Sequence, residues 1–244
     1  MASIETRSIP RIADLTVEAP LRRFHMVMAT VALFVLTAGL HLHDGKALVV
    51  SAVVLAGFWA IAQHGLRTIY PHEALGLCNI VTAIRMGIVA LLAGVIVQSE
   101  ALAAHDWLIF ALAALALSLD GVDGWLARRA ALSSAFGARF DMETDAALGA
   151  VLATILLVSG KVGPEVLVLG FMRYGFVVAG ILLPWLNAPL PDSFRRKAIC
   201  VIQIATLTLL MLPITPFAGA LTLVAAALLV WSFAVDVLWL ARHR

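Results

Sequence analysis

Long apolar runs alternate with short polar connectors along most of the chain. Each run is close to the ~20 residues that an α-helix needs to cross the hydrocarbon core of a bilayer. The connectors, such as residues 159–164 and 187–193, carry the Gly, Pro, Asn and Ser that are typical of turns. The pattern predicts eight transmembrane helices, at residues 24–42, 47–66, 77–97, 105–129, 139–159, 164–186, 195–212 and 217–240.

The composition agrees with an all-α, polytopic membrane protein. Hydrophobic residues fill 62% of the 244 positions and charged residues only 13%, whereas about a quarter of a soluble domain is charged. The net charge of +2 is too small to indicate a nucleic-acid partner. Cys78 and Cys200 lie in or beside apolar runs without metal-type spacing, so we expect small buried side chains and no disulfide.

The amino-terminal part of the chain divides into two segments. Residues 1–23 are polar and predict a cytoplasmic tail. Residues 24–76 predict a transmembrane hairpin and an interfacial linker that carries Pro71. The turn of the hairpin contains His43 and Asp44. These are either ordinary loop residues or part of a surface metal site.

Basic residues are distributed very unevenly between the two sides of the predicted spans. Of the 17 Lys and Arg residues, Arg85 and Arg173 fall inside spans, 13 lie on the side of the tail, and only Lys46 and Lys161 lie on the other side. Because positively charged short loops stay in the cytoplasm, this asymmetry indicates eight crossings with the tail inside. It predicts a multi-pass protein of a bacterial-type inner membrane.

Four aspartates interrupt the apolar pattern between the fourth and fifth spans: Asp120, Asp123, Asp141 and Asp145. Residues three or four positions apart share a helix face, and the chain can turn back between the two pairs. The carboxylates should therefore converge near the cytoplasmic boundary, where they must be protonated or bind cations. Oxygen ligands favour Mg²⁺, Mn²⁺ or Ca²⁺. A charge of about −4 matches two divalent ions, a common arrangement in phosphoryl chemistry.

Small residues adjoin the first pair of aspartates. Gly121, Gly124 and Ala127 leave a bare strip on the helix, where the phosphates of a bulky ligand could approach the backbone. Arg128 follows, and its planar guanidinium suits a phosphate group. Anchoring at the cytoplasmic surface is the alternative role of Arg128.

The spacing D-x2-D-G-x2-A-R-x8-G-x3-D-x3-D is met without departure by Asp120, Asp123, Gly124, Ala127, Arg128, Gly137, Asp141 and Asp145. With eight fixed positions, the segment resembles the signature of the CDP-alcohol phosphotransferases, which are integral membrane enzymes of lipid synthesis. The resemblance extends over residues 77–240. It implies a six-helix catalytic domain at residues 77–244, preceded by the two-helix hairpin.

The resemblance implies transfer of a phosphatidyl group from CDP-diacylglycerol, or of a phosphoalcohol group from another CDP-alcohol, to the hydroxyl of a small polar alcohol, with release of CMP. It implies that the four aspartates hold two divalent cations, Mg²⁺ or Mn²⁺, and that Asp145 is the general base. It also implies contact with membrane lipids and a homodimer. The CDP-binding residues that it implies in the signature are Asp123, Gly124, Ala127, Arg128 and Gly137.

Three polar residues follow one another at intervals of one turn in the third predicted span. Asn79 and Thr82 resemble an Asn and Thr pair that lies near the cytidine in this family; helix packing through small polar groups is the alternative. Arg85 lies one turn further into the membrane and must have a partner there. That partner is either a ligand phosphate or an internal acid.

Further basic residues predict the acceptor site. They would surround a phosphate on the acceptor, as in glycerol 3-phosphate or an inositol phosphate: Arg139, Arg173, Arg195, Arg196 and Lys197. The segment 197–203 resembles a Lys, Thr and Gln pattern of phosphatidylglycerophosphate synthases, with Cys200 in place of the hydroxyl. Anchoring at the cytoplasmic surface is the alternative for residues 195–197.

Two other activities suit an aspartate-rich membrane protein. A Mg²⁺-dependent intramembrane prenyltransferase usually carries its acidic motifs on well-separated helices. A divalent-cation transporter would place acids near the middle of the membrane on several spans. Here one helix–loop–helix holds all four aspartates at one end of two spans, which favours the phosphotransferase with its site on the cytoplasmic side.

Overall fold

The computed structural model describes residues 12–98, 105–130 and 134–243, with the side chains of residues 18–98, 105–122 and 134–243. These ranges contain eight α-helices, one short 3-10 helix at Pro184–Asn187 and no strand. The α-helices are α1 (Ile12–Leu42), α2 (Gly45–Ile69), α3 (Leu77–Val95), α4 (Asp106–Ala130), α5 (Ala135–Val158), α6 (Val166–Leu182), α7 (Phe194–Leu209) and α8 (Ala218–Arg242).

Each predicted span corresponds to one of these helices, so the all-α prediction is confirmed. Within the described ranges, α1, α2, α3 and α8 are long and apolar enough to cross a membrane by their own composition. Helices α6 and α7 have 17 and 16 residues, fewer than the ~20 of a typical span, and α5 carries three acids. The chain is a helical membrane protein, and the number of eight crossings stays a prediction.

Helix α3 lies at the centre of the bundle. It packs against α1, α2, α4 and α5, and nearly every side chain from Thr82 to Gly94 is buried. A helix that is apolar on most sides is buried either in lipid or in protein, and α3 is buried in protein. In the second half of the molecule, α5 packs on α6 and α7, and α8 packs on both of these helices. Polar residues of α3 are therefore held in the interior of the protein.

The amino-terminal hairpin is part of the same hydrophobic core as the rest of the chain. The buried ring of Phe24 on α1 lies 6.4 Å from Phe136 and 6.0 Å from Phe140 of α5, in edge-to-face geometry. Tyr70, just after α2, lies 5.7 Å from Phe136. Such aromatic pairs add stability beyond the area they bury. The hairpin thus fixes the beginning of α5, which carries the second pair of aspartates.

The turn of the hairpin is tied to the end of α3. Asp44 caps α2 by accepting a hydrogen bond of 2.8 Å from the Ala47 amide. The Nε2 of His43 donates to the Leu91 carbonyl at 3.0 Å, and its Nδ1 lies 2.8 Å from the Gln98 side chain. His43 therefore ties the turn to α3, and Asp44 caps α2. These structural roles were not predicted from the sequence.

Candidate active site

Three aspartates converge between α4 and α5. Asp120 lies in the second half of α4, and Asp141 and Asp145 lie one turn apart near the beginning of α5. One oxygen from each carboxylate lies within 4.8 Å of the other two. The side chains are 29%, 38% and 22% exposed, so solutes can reach them.

Arg85 of α3 lies among these three carboxylates and is only 1% exposed. Its guanidinium donates to Asp141 at 2.5 Å and to Asp145, and it lies 3.1 Å from Asp120. Its Nε donates to the Ala116 carbonyl at 3.1 Å. The buried guanidinium of Arg85 is therefore paired with internal acids. Of the two partners that the sequence left open, a ligand phosphate or an internal acid, the structure shows the acid.

The charges of this cluster do not balance. Three carboxylates and Arg85 leave a net charge of about −2, and Asp123 follows Asp120 by one turn on α4, although its side chain lies outside the described residues. A set of carboxylate oxygens suits a hard divalent cation. Oxygens that bind one Mg²⁺ at about 2.1 Å lie about 3–4.2 Å apart, so oxygens within 4.8 Å of one another would have to draw closer to share one ion. The residues fit a divalent metal site.

Asn79 and Thr82 lie on the side of α3 that also carries Arg85. They are only 1% and 2% exposed. The Thr82 hydroxyl donates to the Cys78 carbonyl at 3.0 Å. The Asn79 Nδ2 has no well-formed hydrogen bond within the described residues, although the Tyr70 hydroxyl is nearby. Because an unpaired buried donor costs about 1–3 kcal/mol, a ligand that accepts from Asn79 would be favoured.

Gly137 allows α5 to approach α3 closely. A Cβ at this position would lie 2.9 Å from the Asn79 Oδ1, which is closer than ordinary contact. The Gly137 amide donates to the hydroxyl of Ser134, the N-cap of α5, at 3.0 Å. The glycine of the signature thus has a packing role beside Asn79, and its contact with CDP stays a prediction.

Part of the signature lies where only the backbone is described. The backbone of α4 is helical as far as Ala130, but its described side chains end at Val122. The predicted ligands that fall beyond this point are Asp123, Gly124, Ala127 and Arg128. Their side chains lie outside the described residues, and their roles stay predictions.

Two of the predicted acceptor-binding residues lie on either side of α5. Arg173 of α6 forms an ion pair of 2.6 Å with Glu143. Arg139 precedes Asp141 by two residues and therefore points to the other side of the helix, where it lines a groove against α2. Within the described residues, neither Arg139 nor Arg173 forms an ion pair with the aspartates.

Two further members of that set are held by α8. Arg195 and Arg196 pair with Asp236 at 2.5 Å and 3.3 Å, and Arg195 also donates to the Ser232 carbonyl at 2.5 Å. Asp236 is only 7% exposed. Sequence reasoning missed Asp236 because a single acid within an apolar run belongs to no motif.

Lys197 forms no ion pair with any residue that the structure describes. It lies one turn before Cys200 on α7. Arg173 is paired with Glu143. Within the described residues, no hydrogen bond or ion pair links Lys197 or Arg173 to the aspartates, so their place in the acceptor site stays a prediction.

The comparisons with known proteins agree with this geometry. The sequence model of the CDP-alcohol phosphatidyltransferase family matches residues 75–235, which are 161 of the 244 residues and include every residue of the aspartate cluster. Comparison with curated proteins and with solved structures gave no match. Members of this family are membrane transferases that use CDP-alcohols in phospholipid synthesis. On this match, the chain belongs to the CDP-alcohol phosphatidyltransferase family.

Proposed function

We propose that the protein transfers the phosphatidyl group of CDP-diacylglycerol to the hydroxyl of a small polar alcohol and releases CMP. The observation that carries this proposal is the convergence of Asp120, Asp141 and Asp145 on the buried Arg85. Family membership supplies the class of reaction and favours it over a prenyltransferase or a cation transporter. The proposal adds the donor and the roles of individual residues.

We infer that the four aspartates of the signature hold two divalent cations, Mg²⁺ or Mn²⁺. Carboxylate donors and an uncompensated negative charge support this inference. Bound there, the cations would neutralise the diphosphate of the donor and the departing CMP. Arg85 supplies a further positive charge and holds carboxylates of α4 and α5 in place.

Asp145 is the proposed general base. Its carboxylate is 22% exposed and is oriented by Arg85. The acceptor hydroxyl gives its proton to Asp145 while its oxygen bonds to the phosphorus of the phosphatidyl group. The bond from that phosphorus to the CMP oxygen breaks, and CMP leaves with the electron pair. A positioned base of this kind contributes about 10²- to 10⁴-fold to the rate.

We assign recognition of the nucleotide to α3, α4 and the first turn of α5. The unpaired Asn79 amide supports a polar ligand at this end of α3. The remaining proposed contacts to CDP are those of the signature and of α3: Thr82, Asp123, Gly124, Ala127, Arg128 and Gly137.

The acceptor in this proposal is phosphorylated, as glycerol 3-phosphate or an inositol phosphate would be. We assign Arg173 and Lys197 to this acceptor, and Lys197 supports the assignment because it forms no ion pair within the described residues. Arg195 and Arg196 share a single acid, Asp236, so this pair keeps a net positive charge of about +1.

We further propose eight crossings of a bacterial-type inner membrane, with the site on the cytoplasmic side. The distribution of 13 basic residues against 2 supports this orientation. Residues 77–244 would form the catalytic domain and the chain a homodimer, as in the family. A lipid donor then keeps its acyl chains in hydrocarbon while its diphosphate meets the aspartates at the surface.

The test is CMP release by the purified protein with Mg²⁺ or Mn²⁺, CDP-diacylglycerol and a panel of phosphorylated and unphosphorylated alcohols. We expect release with at least one phosphorylated alcohol and its loss when EDTA removes the metals. Asp145→Asn should lower the rate about 10²-fold or more, because the base is lost while the side chain keeps its shape. Mass spectrometry of the lipid product identifies the acceptor.

The matched control is Asp106→Asn at the opposite end of α4, where the carboxylate pairs with Lys161 at 2.9 Å. It makes the same chemical change in another ion-paired aspartate, away from the aspartate cluster, and should keep most of the activity. Unchanged activity in Asp145→Asn would contradict the role of this residue. If no alcohol of the panel yields CMP, the proposed donor is wrong.

A further inference from the structure

A groove of about 300 Å³ runs between α2 and α5, on the side of α5 that faces away from the aspartates. Much of its lining is apolar and includes Phe58, Ile61, Gly65, Ile69, Phe136 and Phe140. We propose that this groove binds one anionic phospholipid, separate from the donor, with an acyl chain along the apolar lining and its phosphate at Arg139. The proposal does not depend on the catalytic activity.

The dimensions of the groove suit one acyl chain of a single leaflet. Its lining extends along α2 from Phe58 to Ile69, which is about 16 Å at 1.5 Å per residue. Half of the ~30 Å hydrocarbon core of a bilayer has nearly the same depth. Ile61 is 66% exposed and Ile69 is 42% exposed, so this lining opens to the bilayer rather than to the interior of the protein.

Gly65 keeps the middle of the groove open. A Cβ at this position would meet only the Phe136 ring, at 3.3 Å. The α2 backbone approaches the Phe136 ring of α5 at this point. No side chain of residue 65 fills the space of the groove beside this contact. A long side chain here would fill the position that we assign to the acyl chain.

The charges of the groove favour an anionic head group. Among the described residues, Glu143 is the only acid that lines the groove, and its carboxylate is already paired with Arg173 at 2.6 Å. Arg139 is exposed and, within the described part of the chain, makes no hydrogen bond or ion pair. It lies in the second turn of α5, and the proposed orientation puts this end of the helix at the cytoplasmic surface, where lipid phosphates lie. A guanidinium there is complementary to a phosphate, which it can bind with two hydrogen bonds.

Native mass spectrometry of the detergent-purified full chain tests the proposal by titration with phosphatidylglycerol or phosphatidylcholine. We expect one tightly bound phosphatidylglycerol and much weaker binding of phosphatidylcholine. Arg139→Gln should weaken phosphatidylglycerol binding about tenfold, the effect of losing one charge-assisted hydrogen bond. Gly65→Leu should abolish the tight binding by filling the groove.

Two controls lie on α2 beside these positions. Arg67→Gln removes a neighbouring basic charge that does not line the groove, and Gly57→Leu adds the same side chain where a Cβ meets nothing within 4 Å. Both should bind phosphatidylglycerol like the unsubstituted protein. Thermal unfolding of each variant establishes that it is folded.

Four results would overturn the proposal. Equal binding of the two lipids would show that head-group charge is not recognised. Equal weakening by Arg139→Gln and Arg67→Gln would show general attraction to a basic surface. Unchanged binding in Gly65→Leu would show that the lipid binds outside the groove. Disruption of a dimer by this substitution would show that the groove holds something other than a lipid.

Discussion

Arg85 is the residue on which the candidate site depends most. A buried arginine is costly unless its charge is matched, and here carboxylates from two helices surround it. The same contacts explain why three acids can lie together in an apolar bundle. Because the acids outnumber the arginine, the cluster keeps a negative charge that divalent cations can match.

Replacing Arg85 by glutamine should therefore destabilise the protein by about 3–5 kcal/mol, the cost of breaking a buried ion pair. The variant keeps three carboxylates without their internal cation. Mg²⁺ should accordingly raise its melting temperature more than that of the unsubstituted protein, and CMP release should be lost. Thermal unfolding in detergent, with EDTA and with Mg²⁺, measures this difference.

The control for this experiment is Arg196→Gln. Arg196 lies 3.3 Å from Asp236, which keeps its closer contact with Arg195. Loss of this partly exposed pair should cost at most about 1 kcal/mol and should leave the response to Mg²⁺ unchanged. Equal gains from Mg²⁺ in Arg85→Gln and in the unsubstituted protein would contradict the electrostatic role of Arg85.

At the scale of elements, the close contact between α3 and α5 sets the geometry of the site. Gly137 has no side chain that would separate the two helices. The ring contacts of Phe24 with Phe136 and Phe140 hold α5 against the hairpin. The distance between Asn79 and the second aspartate pair depends on this packing.

Gly137→Ala should push α5 away from α3, because its Cβ would meet the Asn79 Oδ1 at 2.9 Å. Overpacking of this size costs about 1–3 kcal/mol. We expect a lower melting temperature and a higher KM for the CDP-linked donor. Gly175→Ala on α6 is the matched control, since its Cβ meets nothing within 4 Å and alanine favours a helix by up to about 1 kcal/mol. Identical behaviour of the two variants would contradict the packing role.

The helices and the aspartate pairs were predictable because both depend on local spacing. Asp141 and Asp145 share a face wherever the helix packs, since four residues make about one turn. The partner of Arg85 was not predictable, because it depends on which face of α3 meets α4 and α5. Asp236 was likewise hidden, because it is a single acid on α8. The direction of Arg139 could have been predicted, because an offset of two residues from Asp141 puts it on the other side of the helix.

At the scale of the whole molecule, the two ends of the bundle differ in chemistry. One end carries the aspartates and nearly all of the loop arginines, while the other carries Lys46 and Lys161. Lys161 is itself bound to Asp106 and to the Met211 carbonyl, each at 2.9 Å. The proposed orientation therefore rests on the exposed arginines of the first end.

Cysteine labelling in sealed right-side-out membrane vesicles tests the orientation. In a chain with Cys78→Ser and Cys200→Ser, a membrane-impermeant maleimide should label Lys46→Cys and should not label Asp192→Cys until the vesicles are opened. Both positions are exposed; Lys46 lies in the first turn of α2, and Asp192 lies in the connection before α7. The reverse pattern would place the aspartates outside, and labelling of both before opening would contradict the span count between them.

The burial of Arg85 also bears on what happens between turnovers. Nucleotide, alcohol and dissolved cations exchange with the surrounding water in every cycle, and each exchange changes the charge beside the aspartates. Arg85 cannot leave, because it is part of α3 and only 1% of it is exposed. One positive charge therefore remains between α4 and α5 at every stage. The protein carries a resident counterion that keeps the empty site assembled for the next donor.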